Sequence, residues 1–384
     1  MFSNAIKLFD ILGFQIRVDP SWLIIATLIV WSLSTGYFPA AVPGLHRSDY
    51  IALAIVAMLG LFVGLVLHEL AHSIVARRFG LGVGGITLFL FGGVAELEQE
   101  PASAGSEFWI AVAGPAMSFA VAAVAWVAGG AVAAAGASQG LVALFGYLAV
   151  INLILAVFNL IPAFPLDGGR VLRAALWHTK GDLLAATRTA SAAGSAFGYA
   201  LVALGLFLLF TGGGVVGSLW PILIGLFLAA AARGTYQQML TRQALIGRKV
   251  GDLMTREVRT ISPDRTVRAL VDDVMLSHGV AFVPVVEDGR ALGYVDTTTI
   301  KSIDREYWDV TRVEDIFVAL TPEMRTTPRE PLDHLLDRIT KSGRRKFIVE
   351  DGRSFAGVVT LSDLVAHVDV RNELGATGRS ARSI

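Results

Sequence analysis

The sequence predicts a polytopic α-helical membrane protein with about six transmembrane helices, followed by a cytoplasmic α/β tandem. Three observations support this fold class. Charge is divided unevenly, because residues 1–240 carry 10 Lys and Arg and 10 Asp and Glu, whereas residues 241–384 carry 22 of each. Long apolar segments recur only in the first part, and an internal repeat occupies the second. The domain boundary is therefore predicted near residue 240.

Six segments of the first part reach or approach the roughly 20 residues that a helix needs to cross the hydrocarbon core. They are predicted at about 20–38, 50–78, 107–128, 140–162, 190–211 and 215–235. Trp22 and Tyr37 bracket the first segment in the manner of interfacial aromatic anchors. The preceding residues 1–17 are too polar for a secretory signal peptide, so we expect the first segment to be retained as an anchor.

Basic residues predict the orientation of these segments. All basic residues of the first part except Arg47 fall on one side of the six-helix arrangement. They are Lys7, Arg17, Arg77, Arg78, Arg170, Arg173, Lys180, Arg188 and Arg233. Because short cytoplasmic loops are enriched in Lys and Arg, we expect a multi-pass protein of the cell membrane with both termini in the cytoplasm.

Composition excludes some classes of site and partner. The chain contains no cysteine, which excludes disulfides and thiolate metal sites. Its net charge is zero, and each part is neutral as well, so we expect no nucleic-acid partner.

The second segment contains the motif His68-Glu-Leu-Ala-His72. Histidines at positions i and i+4 project from one face of a helix, so both imidazoles can bind a single zinc ion. Glu69 can accept a proton from the attacking water, which makes the motif typical of metalloproteases. Ionisable residues inside a membrane are costly and usually functional. At about 1.5 Å per residue from Arg77, His72 lies about 8 Å and His68 about 14 Å inside the cytoplasmic boundary.

A catalytic zinc usually has three protein ligands and an open position, so a third ligand is expected at similar depth. Asp167 follows the stretch Asn159-Leu-Ile-Pro-Ala-Phe-Pro165, whose prolines, with Gly168 and Gly169, interrupt the fourth segment and turn the aspartate back towards the helices. Irregular backbone at this depth is tolerated only where it is buried in protein or lines a cavity. We therefore expect Asp167 to complete the ligand set; the alternative is an ordinary helix cap at the interface.

With these motifs the chain resembles the site-2 protease family of intramembrane zinc metalloproteases. The resemblance covers residues from about 1 to 240. It rests on His68-Glu-Leu-Ala-His72, on Asn159 with Pro162, Pro165 and Leu166-Asp167-Gly168, and on Phe91-Gly-Gly93 followed by Gly114-Pro115. It implies His68, His72 and Asp167 as zinc ligands, Glu69 as the general base, and Asn159 as a polar residue near the substrate peptide.

The resemblance also implies that Ile86 to Leu97 forms strands beside the active site, able to pair with an unwound substrate. The β-forming residues and paired glycines of this segment fit that role, although an amphipathic interfacial segment would show a similar pattern.

The family often has an asparagine shortly after the Gly-Pro pair, where this chain reads Gly114-Pro-Ala-Met-Ser118. The loops near 39–49 and 129–139 are too short to contain a PDZ domain.

The second part contains a repeat with copies at about 250–306 and 311–370. Asp252-Leu-Met-Thr255 opens the first copy and Val313-Glu-Asp-Ile316 the second. Strand-like Phe282–Val286 and Leu292–Val295 match Lys346–Val349 and Phe355–Thr360. Each copy alternates helical and strand patterns, and the repeat resembles a CBS-domain pair.

Such pairs frequently bind adenine nucleotides, so the resemblance implies an ATP or AMP site at Thr360 and Asp363 of the second copy. In the first copy Asp296 and Thr299 stand in the reverse order, so at most one well-formed site is expected. A structural pair, or one that forms a homodimer, is the alternative.

The sequence therefore predicts an intramembrane zinc endopeptidase that cleaves transmembrane segments of single-pass or small membrane proteins in regulated intramembrane proteolysis, modulated by adenine nucleotide. A CBS-gated cation channel or transporter is a competing class, but a transport site needs no general base such as Glu69. An inactive scaffold homologue is another, which the intact ligand set disfavours. The remaining histidines are interpreted as ordinary polar residues. They are His46, His178, His278, His334 and His367.

Overall fold

The computed structural model describes residues 5–90, 92–97, 99–212 and 214–367. The chain divides into two compact units, Met1–Gln237 and Gln238–Ile384. Two parts of the predicted features lie outside the described residues. They are Phe91 of the Phe91-Gly-Gly93 motif and the end of the second repeat copy, residues 368–370.

Among the described residues, six helical segments are long and apolar enough to cross a membrane, as the hydropathy pattern predicts. In chain order the helices are α1 (Trp22–Ser32), which continues through a π-helical turn (Leu33–Tyr37) into α2 (Phe38–Ala41), then α3 (Arg47–Arg78), α4 (Ala104–Ala134), α5 (Gln139–Asn159), α6 (Asp167–Lys180), α7 (Leu183–Phe210) and α8 (Val215–Leu245). The candidate spans are α1 together with α2, and α3, α4, α5, α7 and α8.

A polar residue and a proline determine two of the helix ends that differ from the predicted spans. α7 begins at Leu183 rather than at residue 190, because the Asp182 side chain accepts a 3.0 Å hydrogen bond from the Ala185 amide and caps the helix. α5 ends at Asn159 rather than at residue 162, because Pro162 has no amide hydrogen with which to continue the helix. Hydropathy detects the apolar middle of a span but neither of these ends.

A four-stranded sheet belongs to the first unit. Its strands are β1 (Ile6–Ile11), β2 (Phe14–Val18), β3 (Val83–Phe89) and β4 (Gly92–Leu97). They lie in the order β1-β2-β3-β4, with β2 and β3 parallel and the other pairs antiparallel. The predicted strands of residues 86–97 are thus present as β3 and β4, and β4 forms one edge of the sheet.

The β1–β2 hairpin was not predicted from the sequence. Leu12 and Gly13 take positive φ values of 51° and 84° at its tight turn, the conformation that favours two-residue hairpins. Phe14 and Ile16 then point inward, with 3% and 0% exposure, and pack in one hydrophobic core with Leu70 of α3. The sheet therefore lies against the part of α3 that carries the His68–His72 motif.

The second unit contains two small sheets. Its elements are α9 (Val250–Leu253), α10 (Val267–Ala269) with a following π-helical turn (Leu270–Leu276), β5 (Phe282–Glu287), β6 (Arg290–Asp296), α11 (Thr297–Lys301), β7 (Val318–Ala319), β8 (Arg325–Thr326), α12 (Leu332–Ser342), β9 (Lys346–Asp351), β10 (Ser354–Thr360) and a helix over 361–367. The sheets have the orders β5-β6-β7 and β10-β9-β8. The predicted strands lie in β5, β6, β9 and β10.

The segment that opens each repeat copy packs against the other copy. Thr255 and Val358 of β10 exchange two backbone hydrogen bonds of 2.9 and 3.0 Å. Val250 lies in the core around α12, β9 and β10, whereas Val313 lies in the core around β5 and β6. The two copies are therefore interlocked, and neither core is complete without a segment from the other half of the repeat.

Candidate metal centre

α3 carries three ionisable side chains into the protein interior. His68, Glu69 and His72 are 2%, 9% and 6% exposed. The Nε2 atoms of the two histidines are 3.2 Å apart, as expected for residues one turn apart on the same helix face.

Asp167 is the first residue of α6, and its carboxylate joins the two histidines. Its Oδ2 atom lies 3.1 Å from Nε2 of His68 and 3.2 Å from Nε2 of His72. Within the described ranges, these three residues are the only group of three or more metal-ligand side chains that comes together at ligand distance.

Residues 160–166 form a tight loop that determines where α6 begins. A Cβ atom on Gly168 would collide with the carbonyl oxygen of Leu160, so the loop can close only with glycine at this position. The Phe164 amide donates a 3.3 Å hydrogen bond to the Ala190 carbonyl of α7. A Cβ atom on Gly194 of α7 would in turn collide with the Phe164 carbonyl. α7 therefore holds the loop, and with it the start of the helix that carries the aspartate.

The other ring nitrogen of each histidine contacts α4. Nδ1 of His72 lies 2.6 Å from the Ile110 carbonyl oxygen, and Nδ1 of His68 lies 2.8 Å from the Ser118 hydroxyl. A Cβ atom on Gly114 would collide with both imidazoles, which explains glycine there. The sequence assigned no role to Ser118 or Ile110. Small residues one turn apart, Gly114 and Ser118, indicate close helix packing but not the identity of the partner.

These contacts determine which nitrogens face the centre of the cluster. Because the Ile110 carbonyl can only accept a hydrogen bond, neutral His72 carries its proton on Nδ1 and presents an unprotonated Nε2 to Asp167. The unprotonated Nε2 of His72 thus faces the Asp167 carboxylate at 3.2 Å in a buried site. Ligand atoms of a tetrahedral zinc ion with bonds of about 2.0–2.1 Å are about 3.3 Å apart. The donor set and its spacing therefore fit zinc.

β4 passes directly over Glu69. A Cβ atom on Gly93 would lie 2.6 Å from Cγ and 2.9 Å from Oε1 of Glu69, distances too short for any side chain larger than glycine. The edge strand therefore contacts the predicted general base, and glycine at this position permits that approach.

Asn159 and the remaining histidines are not part of this cluster. Asn159 is the last residue of α5, and its Nδ2 donates a 3.0 Å hydrogen bond to the Leu155 carbonyl one turn earlier. His46 caps the start of α3 and His178 lies in the last turn of α6. The other histidines belong to the second unit. They are His278, His334 and His367.

The predicted nucleotide residues begin short helices of the second unit. The Thr360 hydroxyl donates a 2.9 Å hydrogen bond to Asp363, which also accepts one of 2.8 Å from the Thr360 amide. In the first copy the order is reversed, and Asp296 accepts hydrogen bonds of 3.0 Å from the Thr298 and Thr299 amides. Both pairs therefore cap a helix start, with the carboxylate on opposite sides of the turn.

The chain matches two protein families. Residues 56–134 and 129–205 match Peptidase family M50, and residues 250–305 and 313–369 match the CBS domain. The chain is 37% identical over 369 residues to a Mycobacterium tuberculosis protein, "Putative zinc metalloprotease Rip3", covering 96% of this chain and 93% of that protein. It is 28% identical over 375 residues to a zinc metalloprotease of Methanocaldococcus jannaschii, covering 95% and 96% of the two chains. A solved site-2 protease from the same organism is 30% identical and covers 60% of this chain and 94% of its own, with a TM-score of 0.42.

Proposed function

The chain belongs to peptidase family M50, and on this basis we propose that it is an intramembrane zinc endopeptidase. Its proposed substrates are membrane-tethered proteins, single-pass or small, which it cleaves within their transmembrane segments in regulated intramembrane proteolysis. The observation that carries the proposal is the buried convergence of Asp167 Oδ2 with the Nε2 atoms of His68 and His72. Zinc analysis of the purified chain, combined with cleavage of a single-pass test substrate, tests it.

In this proposal His68, His72 and Asp167 hold the ion, and Ser118 and the Ile110 carbonyl orient the two imidazoles. When bound, zinc acts as a Lewis acid at the scissile carbonyl and lowers the pKa of water to about 7. Hydrogen bonds such as those made by Ser118 and the Ile110 carbonyl fix the tautomer and ring orientation of ligand histidines. The near-complete burial of the three ligands limits access of bulk water to the site.

Glu69 is the proposed general base and acid. Its carboxylate takes the proton from the attacking water and delivers it to the amide nitrogen that leaves when the peptide C–N bond breaks. Glu69 is next to Leu70, which packs against the sheet, and it lies under β4. The strand therefore limits the positions that the Glu69 carboxylate can take.

The exposed edge of β4 is the proposed docking site for the substrate peptide. A transmembrane helix must unwind before cleavage, because its carbonyls are otherwise occupied by helical hydrogen bonds. An extended peptide can then add as a strand to a sheet edge. Since Gly93 of β4 contacts Glu69, a peptide paired with this strand would lie beside the general base. Asn159 is proposed to contact the same peptide.

The chain is a multi-pass membrane protein, and we propose that both termini are cytoplasmic. α3 ends with Arg77 and Arg78. In a six-span arrangement this end lies on the same side of the membrane as Lys7, Arg17 and the basic residues of α6. The metal ligands of α3 lie within three turns of that end, which supports a catalytic site in the cytoplasmic leaflet.

The repeats are CBS domains, and we propose that the second copy binds an adenine nucleotide such as ATP or AMP. Thr360 and Asp363 are hydrogen-bonded to each other at the start of a helix, and the proposal assigns them to phosphate and ribose. In the first copy the Asp296 carboxylate already occupies the free amides at the helix start and would repel phosphate. Homodimer formation through the pair is a further part of the proposal.

A further inference from the structure

Arg173 joins α6 to α4 through a buried ion pair. Arg173 lies less than two turns after Asp167 on α6 and is 4% exposed. Its Nε donates a 2.6 Å hydrogen bond to Oε1 of Glu107 on α4, and its Nη2 contacts the same oxygen. Glu107 has no exposed surface. The pair therefore places two charges in the protein interior, where they require each other.

Both helices of this pair carry parts of the metal centre. α6 begins with the ligand Asp167, and α4 supplies the Ile110 carbonyl and the Ser118 hydroxyl that contact His72 and His68. Glu107 lies within one turn of Ile110 on the same helix. The contact between Glu107 and Arg173 thus connects α6, which carries the ligand Asp167, to α4, which carries the groups that contact the two histidines.

The same guanidinium contacts two more segments next to the site. Its Nη2 lies 3.3 Å from Oε2 of Glu100, in the connection between β4 and α4. Its central carbon lies 5.2 Å from the centroid of the Phe164 ring, in the loop that precedes Asp167. A planar guanidinium with five donors can make these contacts together, whereas a lysine ammonium cannot.

We infer that the Glu107–Arg173 ion pair is a positioning device that holds Asp167 at ligand distance from His68 and His72. The inference rests on the proposed function only in taking this cluster as the metal site. A buried ion pair is weak evidence for stability, since an apolar pair of similar volume often stabilises as well or better. The pair instead joins α6, which carries Asp167, to α4, which carries the groups that contact the histidines. We therefore assign it a role in holding the geometry of the site.

Zinc affinity of the purified full-length chain, measured by competition with a chromophoric chelator, tests this role. The variants are Arg173→Met, Glu107→Gln and the double variant Glu107→Met/Arg173→Met. We expect zinc affinity to fall about 10–100-fold in each, as is typical when a group that orients a ligand is removed. Because both residues act through one contact, the double variant is expected to bind no more weakly than the weaker single variant. The visible spectrum of the Co²⁺-loaded chain should change in the same variants.

Arg233→Met is the matched control, because it removes an interhelical arginine contact with Tyr199 of α7 but does not involve α6. It should leave zinc affinity and the Co²⁺ spectrum unchanged. A single substitution leaves one buried charge without its partner and can prevent folding. The double methionine variant removes both charges and so keeps the test decisive. Wild-type zinc affinity in that folded variant would overturn the inference and leave the proposed function intact. Absence of zinc binding by the wild-type chain would overturn the proposed function instead.

Discussion

The Nδ1 atom of His72 lies 2.6 Å from the backbone carbonyl oxygen of Ile110. The carbonyl can only accept, so this hydrogen bond leaves Nε2 of the neutral imidazole free for a metal. Ser118 has the corresponding position next to His68, 2.8 Å from its Nδ1. A backbone carbonyl cannot be removed by substitution, but a hydroxyl can, and the orientation of His68 is therefore open to a direct test.

Replacing Ser118 with alanine should lower zinc affinity about 10–100-fold, because His68 loses the group that orients its ring. Chelator competition on the purified chain measures this change. Ser218→Ala is the control, since Ser218 is also fully buried but donates to the Gly214 carbonyl within its own segment. Equal zinc affinity in the two variants would show that Ser118 does not orient the ligand.

Asp167→Ala should lower zinc affinity by more than about 100-fold, beyond the loss expected for an orienting group, because two imidazoles alone leave the ion under-coordinated. Asp167→Asn keeps the size of the side chain and should also bind zinc weakly, since the charge is lost. Zinc content after dialysis and cleavage rate are the two measurements. If both remain at the wild-type level, another residue completes the site.

Gly93→Val should slow cleavage about 100-fold, because its Cβ would lie 2.6 Å from Cγ of Glu69 and displace the general base. Zinc affinity should not change, since the three atoms nearest to that Cβ all belong to Glu69 and none to a ligand. Gly105→Ala is the control, because a Cβ at that position meets nothing within 4 Å. A wild-type cleavage rate for Gly93→Val would show that β4 and Glu69 are not in contact in the active protein.

Adenine nucleotide binding should depend on the second repeat copy. Asp363→Asn in the full-length chain should abolish binding of ATP or AMP measured by calorimetry, because the ribose partner loses its charge while the helix cap keeps an acceptor. Asp296→Asn in the first copy should bind as the wild type does. If the wild-type chain binds no adenine nucleotide at physiological concentrations, the CBS pair is better explained as a dimerisation or substrate-docking module.

The sequence predicted those features that depend on local pattern. The six spans follow from apolar length, and His68 and His72 follow from a spacing of one helical turn. Asp167 followed from chemistry, because a zinc site lacked a ligand and the Pro and Gly residues around position 167 indicated a break in the helix. The structure places its carboxylate at 3.1–3.2 Å from both histidines.

Features that depend on contacts between distant segments could not be read in the same way. A serine in an apolar helix does not reveal that it faces a histidine, and Glu107 and Arg173 are far apart in sequence. The interlocking of the CBS copies has the same cause, since nothing local to Thr255 indicates that it pairs with Val358. Each of these contacts is fixed by helix or strand packing rather than by its own sequence neighbourhood.

The most direct test of the central claim is cleavage of a single-pass test substrate by the purified, reconstituted chain, measured before and after zinc removal. We expect the wild-type chain to contain stoichiometric zinc, to cut within the transmembrane segment, to lose activity on chelation and to recover it when zinc is restored. Glu69→Gln should retain zinc but cleave about 10²–10⁴-fold more slowly, because the proton acceptor is lost. Cleavage that survives metal removal, or a wild-type rate in Glu69→Gln, would contradict the account, and stable zinc binding without any cleavage would instead indicate an inactive scaffold.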